Sequence, residues 1–327
     1  LDELGVHVEP CTNEASAAAM LGASINYPMR GAVTWKSIVG TNVASGALSN
    51  LASAGVMGGA LIVVGEDYGE GSSVIQERTH AYAMKSSLVL LDPRPDLPHL
   101  VDTVETAFEL SEAAHTPVLL QLRIRACHLQ GSFVSRANVA PAMSMRKRGA
   151  AAPFDVARMS HPPSTFAHER LKATERLPAA RRFIVERRLN ERFGADGAVG
   201  IIVQGGIHPN LMQALAVAGL VGDDGAPVLP LLVLNATYPL VPDELADFCR
   251  GRRAVLVLEE GHPEFIEFEL AALLERAGVR CVIEGKAMMD CAGEYQAEAV
   301  VAGVDRFVAR HAPGLARPAG AAWRAEV

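Results

Sequence analysis

Thr12-Asn13-Glu14 stands directly before Ala15-Ser16-Ala17-Ala18-Ala19, so one carboxylate falls at the head of a small-residue helix, just after the apolar run Val6–Val8. A carboxylate in that position can hold or transfer a proton. The small side chains around it, continuing through Gly22 and Ala23, let another backbone or a flat ligand come close. The structural alternative is an ordinary capped helix. Thr12 or Asn13 supplies the cap, and an acidic first turn is favoured by the helix dipole alone. Further polar residues follow apolar runs: Lys36 with Ser37, Glu66 with Asp67, and Arg125 with His128. Each has a plain reading too, as a surface lysine, a helix-start carboxylate or a structural histidine.

Those positions depend on the elements that carry them. Short apolar runs at Val6–Val8, Ala32–Trp35, Ala60–Val64, Leu88–Leu91 and Val118–Leu122 read as buried strands. Helical patterns at 13–25, 42–54, 73–85 and 97–114 separate them, with Ser72 and Asp96 as N-caps. Buried strands alternating with helices of this length predict a parallel α/β sheet covered on both faces. Ligands bind such sheets at the carboxyl ends of the strands, where these polar residues gather. A second unit of the same kind begins at Ala198. It has strands at Val199–Val203, Leu229–Leu234, Ala254–Glu259 and Arg280–Ile283, and helices at 209–219, from Pro242 to about 250, and at Glu264–Ala277. The expected boundaries are residues 1–135 and 193–312 for the two α/β units, 136–192 for a basic helical linker and 313–327 for a tail.

The chain has 327 residues, half of them hydrophobic, enough for two domains with substantial cores. Its net charge of −7 gives no nucleic-acid signature, and no apolar run approaches the length of a membrane span. Five widely spaced cysteines, with no C-x-x-C, hold neither a disulfide framework nor a sequence-evident metal or cluster site, which fits a reducing cytoplasm. Residues 136–192 carry thirteen basic against five acidic side chains, while the rest of the chain is acidic, so docking on the chain itself or on a partner subunit is expected. Dinucleotide, Walker, H-E-x-x-H and G-x-S-x-G motifs are absent. Gly222-Asp223-Asp224-Gly225 reads as a turn.

Taken in order, these segments resemble the alpha subunits of indolepyruvate ferredoxin oxidoreductases, within the thiamine-diphosphate-dependent 2-oxoacid:ferredoxin oxidoreductases. The resemblance is carried by Thr12-Asn13-Glu14 with its Ala-rich helix; by Val33-Thr34-Trp35-Lys36, then Gly40-Thr41-Asn42-Val43-Ala44; and by Gly58-Gly59-Ala60-Leu61-Ile62-Val63-Val64, then Glu66-Asp67 and Ser72-Ser73. It continues through Ala107-Phe108-Glu109-Leu110-Ser111-Glu112, Arg125-Ala126-Cys127-His128, Thr237-Tyr238-Pro239-Leu240 and Leu258-Glu259-Glu260. It implies a pyrimidine-binding domain followed by a transketolase C-terminal-like domain. By the same resemblance Glu14 is the cofactor-activating glutamate. Hydrogen-bonded to N1′ of the aminopyrimidine, it promotes the imino tautomer that takes the thiazolium C2 proton. Thr34 and Glu66 join it as cofactor-binding positions, and Lys36, Ser37 and Asn42 as substrate-binding ones.

Two departures lie near that implied site. Val74-Ile75-Gln76-Glu77-Arg78 replaces the family's Q-N-E-Q-D run, and Lys36-Ser37 replaces a Lys-His pair. The family's first strand and helix, its pyrophosphate domain with a G-D-G…N magnesium motif, and its cysteine-rich cluster segment have no counterpart in this sequence. Magnesium, the diphosphate half-site and iron–sulfur clusters are therefore expected on other parts of a hetero-oligomer, with ferredoxin, a 2-oxoacid and coenzyme A as partners. A non-oxidative 2-oxoacid decarboxylase and a non-catalytic scaffold subunit remain the alternatives.

Overall fold

The computed structural model describes residues 2–4, 6–69, 75–137, 155–289 and 292–315. Two compact units divide the chain. The first comprises 1–66, 79–91 and 96–186; the second comprises 67–78, 92–95 and 187–327.

The first unit is built on four parallel strands in the order β1 (Gly31–Lys36), β2 (Ala60–Glu66), β4 (Val118–Arg123) and β3 (Val89–Leu91). The inner strands read as continuous apolar runs because both of their faces are covered. Leu61, Ile62, Leu119 and Leu120 are each at most 1% exposed. Strand β1 is covered on one face only. Trp35 points into the unit, whereas Ala32, Thr34 and Lys36 are exposed, as a two-residue repeat requires. Helices α1 (Glu14–Leu21), α2 (Ser37–Ala54), α3 (Thr79–Ser86), α4 (Leu97–Ala114) and the short α5 (Ile124–Cys127) connect and cover these strands.

Helices α6 (Ser164–Leu171) and α7 (Leu177–Glu186), joined by a π-helical turn at Lys172–Arg176, belong to this unit. The turn delivers Arg176 to the end of α2. There its guanidinium donates to the carbonyls of Ala52 (3.1 Å), Ser53 (2.9 Å) and Ala54 (2.8 Å). The last carbonyls of a helix have no intrahelical donor and carry the negative end of its dipole, so a cation there both caps and neutralises.

The second unit has the strand order β10 (Val282–Glu284), β9 (Ala254–Leu258), β6 (Val199–Gln204), β7 (Leu231–Leu234) and β5 (Glu191–Phe193), with only β5 antiparallel. Alternate side chains of the central strands feed two cores. Val199, Ile201 and Val203 of β6 join one with α8 (His208–Val217) and α11 (Ala297–His311). Ile202 joins the other with α9 (Pro242–Cys249) and α10 (Phe265–Ala277). A short strand, β8 (Ala236–Tyr238), follows β7.

The structure corrects four sequence expectations. Val6–Val8 is not a strand. No strand pairs with it among the described residues, and Val6 and Val8 are 45% and 59% exposed. Helix α2 starts at Ser37, five residues before the expected 42, because Gly40 lets the turn lie directly against Trp35 and the indole N–H donates to Thr41 Oγ1 at 3.1 Å. Helix α3 starts at Thr79 rather than 73, and Ser72 lies outside the described residues. Helix α11 was missed, although Val300, Val301, Val304, Phe307 and Val308 form a helical apolar stripe. Asp96 caps α4 as expected, accepting from His99 N at 3.0 Å. Gly222–Gly225 is a turn, with Gly225 at φ +79°.

Candidate active site

Glu14 is the first residue of α1. The helix starts there because Asn13 is extended and its Oδ1 accepts from Ser16 N at 2.8 Å, which satisfies one of the free N–H groups of the first turn. The capping task thus falls to Asn13, and the Glu14 carboxylate is left for something else. It is half-buried and makes no hydrogen bond or ion pair among the described residues. Helix α1 packs on α2 and β1, with Ala18 and Leu21 buried.

The other expected site residues separate into two groups. Ser37 and Glu66 come together inside the first unit. Ser37 Oγ donates to Glu66 Oε2 at 2.5 Å, Thr79 Oγ1 donates to the same oxygen at 2.5 Å, and Thr79 N donates to Oε1 at 3.1 Å. All three residues are buried, Glu66 at 1% exposure. One carboxylate at the carboxyl end of β2 therefore pins the first turns of both α2 and α3. Charge-assisted bonds of this kind are about twice as strong as neutral ones. Thr34, Lys36 and Asn42 form the second group. Thr34 and Lys36 share the open face of β1, and Asn42 lies on the exposed stripe of α2 with Val39 and Val43.

A second polar network, in the second unit, was only partly anticipated. Buried Glu259 caps the following helix: its Oε2 accepts from Ile266 N (2.8 Å) and Glu267 N (3.1 Å) at the start of α10. Its other oxygen takes Arg78 Nη1 at 2.7 Å, in an ion pair whose side chains are each 2% exposed. Arg78 also donates to Pro263 O at 2.5 Å and lies over the Phe265 ring. Lys286 Nζ donates to Glu259 O and Tyr295 Oη, both at 2.6 Å, and burial pulls its pKa down to about 8. Glu260 accepts from Tyr295 N at 2.5 Å. The Leu258-Glu259-Glu260 motif signalled this cluster; Lys286 and Tyr295 had no signal, since only the folding of the α11 region beside β9 brings them there. Arg125 and His128 lie on and just after α5.

Chemically, the first unit offers a carboxylate at a helix start with no partner among the described residues. The donor set matches what an aminopyrimidine ring nitrogen needs, a single carboxyl that shares a proton with it. Lys36 adds an exposed ammonium on the strand that leads into α2. Among the described residues no group of three or more acidic, histidine or cysteine side chains is placed to hold a metal ion. No helix among them is long and apolar enough to cross a membrane.

No family model matches the sequence. It is 30% identical over 286 residues to the indolepyruvate oxidoreductase subunit IorA of Methanothermobacter thermautotrophicus, covering 86% of this chain and 44% of that one. The subunit of the same name from Thermococcus kodakarensis is 27% identical, over 94% of this chain and 46% of its own length. The chain thus spans less than half the length of these curated relatives. Among solved structures, the fold is similar to a 2-oxoglutarate:ferredoxin oxidoreductase from Magnetococcus marinus with 2-oxoglutarate, coenzyme A and succinyl-CoA bound. The TM-score is 0.61 at 15% identity, covering 93% of this chain and 58% of that one.

Proposed function

We propose that this chain, similar over most of its length to the indolepyruvate oxidoreductase subunits IorA, provides the pyrimidine-binding part of a thiamine-diphosphate-dependent 2-oxoacid:ferredoxin oxidoreductase. The reaction is oxidative decarboxylation of an arylpyruvate of the indolepyruvate type to an acyl-CoA, with electrons passing through iron–sulfur clusters to ferredoxin. Magnesium, the diphosphate site and the clusters belong to other parts of a hetero-oligomer. What supports the reading is Glu14, which the resemblance of Thr12-Asn13-Glu14 matches to the family's glutamate and whose carboxylate is uncommitted to any described protein group.

When bound, thiamine diphosphate supplies the nucleophilic carbon and the electron sink for decarboxylation. The chain supplies position and proton control. Glu14, at the head of α1, would hold a proton against the ring nitrogen. Asn13 fixes the first turn of α1 so that the carboxylate stays in place. Lys36 offers the oxoacid carboxylate a cation on the open face of β1, Asn42 on α2 is a further substrate contact, and Thr34 on β1 contacts the cofactor. Ser37 and Glu66 serve from behind, because their buried hydrogen bonds hold the β1–α2 corner on which Lys36 is mounted.

The test is Glu14→Gln in the assembled complex, assayed by coenzyme-A-dependent viologen reduction with an arylpyruvate. Loss of a positioned acid–base group predicts a fall in turnover of about 10²–10⁴-fold, with iron content unchanged. Full turnover in the variant would remove Glu14 from the mechanism. Turnover independent of coenzyme A would favour the non-oxidative decarboxylase. A native complex that purifies without thiamine diphosphate would favour the scaffold subunit.

A further inference from the structure

The second unit contains a pair of thiols that the proposed reaction does not use. Cys249 ends α9 and is fully buried. Cys281 precedes β10, is half-buried, and packs against the same apolar core that encloses Cys249. Arg252 N donates to Cys249 O at 3.1 Å and Val282 N donates to Arg253 O at 3.0 Å, so the turn that follows Cys249 runs beside Cys281 and brings the two thiols close enough to interact. Cys281, but not Cys249, also lines an open cleft of about 480 Å³ between the β9–β10 end of the sheet and α10. Arg252, Arg253 and Arg280 line this cleft, against the single acidic side chain of Glu275.

This arrangement divides the labour of a dithiol. Interaction with the Cys249 thiol holds the sulfur of Cys281 below the ordinary thiol range, with the Arg252 charge assisting, while Cys249 is pushed up by the same interaction and by burial. The accessible sulfur is therefore the nucleophile and the enclosed one is held in reserve. The arginines set the chemistry of what enters: Arg252 is ion-paired with Asp196 at 3.7 Å, and Arg253 and Arg280 add two further cations, so the cleft attracts an anion.

We propose that Cys281 and Cys249 form a reversible dithiol–disulfide site, oxidised by a small carboxylate-bearing disulfide that binds in the arginine-lined cleft. The Cys281 thiolate attacks one sulfur of that disulfide. The ligand's S–S bond breaks, one half leaves as a thiolate that takes up a proton, and a mixed disulfide forms on Cys281. Cys249 then gives up its proton and attacks the Cys281 sulfur, and the second half leaves as a thiol. Two electrons pass from the cysteine pair to the ligand, and excess thiol reverses both steps. The product ties the end of α9 to the start of β10.

Oxidised glutathione serves as the anionic probe and cystamine as a cationic disulfide with the same exchange chemistry, each applied to the full-length protein. Oxidised glutathione is expected to remove two hydrogens from the intact mass and to link the Cys249 and Cys281 peptides, reversibly with reduced thiol. It should react about tenfold faster than cystamine at low salt, a preference that fades as salt rises and that Arg280→Glu reverses. Cys249→Ser should stop at the mixed disulfide on Cys281, and Cys281→Ser should leave Cys249 unmodified while thermal unfolding confirms an intact fold. Modification of Cys11 and Cys127 with no Cys249–Cys281 link would overturn the proposal. So would equal rates with the two probes, or glutathionylation of Cys249 in Cys281→Ser.

Discussion

Glu66 shows how much one buried carboxylate organises. It receives Ser37 Oγ, Thr79 N and Thr79 Oγ1, so replacing it by leucine strands the Thr79 amide and leaves the Ser37 and Thr79 hydroxyls, 2.8 Å apart, with only one of their protons accepted by the other. Unsatisfied buried donors cost about 1–3 kcal/mol each before relaxation. Glu66→Leu is expected to lower stability by about 2–4 kcal/mol in denaturant unfolding, whereas Glu66→Gln, which can still accept from Thr79 N, loses less than half as much. A second residue-scale expectation concerns acid. Burial, followed by the charge of Arg94, lowers the His208 pKa to about 4 from an ordinary 6.5. Between those values the unfolded chain holds the proton and the folded chain does not, so stability falls as pH drops from about 6.5 towards 4. His208→Asn should flatten that part of the unfolding-free-energy profile; an unchanged slope would place the acid sensitivity elsewhere.

At the scale of elements, the regular α/β alternation was legible because buried parallel strands read as plain apolar runs, and β2, β4, β6 and β9 lie within a residue or two of their expected places. The misses have physical causes. Val6–Val8 has strand composition, but composition does not supply a neighbouring edge. Helix α3 begins where Glu66 can receive its first amide, a contact made thirteen residues away and invisible to local pattern. At the site, the position of Glu14 at a helix head was readable. The inward turn of Ser37 and the partners of Glu66 were not, because alternation along β1 ends at the first residue of α2. One element-scale prediction concerns Gly205, at the carboxyl end of β6. A methyl group there would lie 2.2 Å from Asp92 O and 2.5 Å from Asn235 Oδ1. Neither can give way freely, since Asp92 N donates to Asn235 O at 2.8 Å and Asn235 Nδ2 holds Leu189 O at 2.8 Å. Gly205→Ala should destabilise the second unit by about 2–4 kcal/mol, read as a lower midpoint in thermal unfolding, while Gly225→Ala, with open space around it, costs only its positive-φ strain of about 1 kcal/mol.

For the whole molecule, charge accounting pointed to docking of the basic stretch on acidic surroundings. In the first unit Arg136 does pair with Asp102 and Glu105, but the buried cation of the stretch, Arg176, is held differently. Arg176 is satisfied by three main-chain carbonyls at the end of α2, at 8% exposure. Sequence charge counts could not show this, because helix ends carry partial charge without carrying ionisable residues.

That clasp spans more than a hundred residues of chain, and it has a practical corollary. Helices α6 and α7 are held by their packing on the first unit and by Arg176. Two separately encoded pieces, 1–145 and 146–327, should therefore find one another and co-purify as a complemented pair. Arg176→Ala in the second piece should weaken that recovery well before it affects the uncut chain, where tethering keeps the local concentration of α6–α7 high. The gene for this fold is, in that sense, divisible at a point where the folded first unit is not.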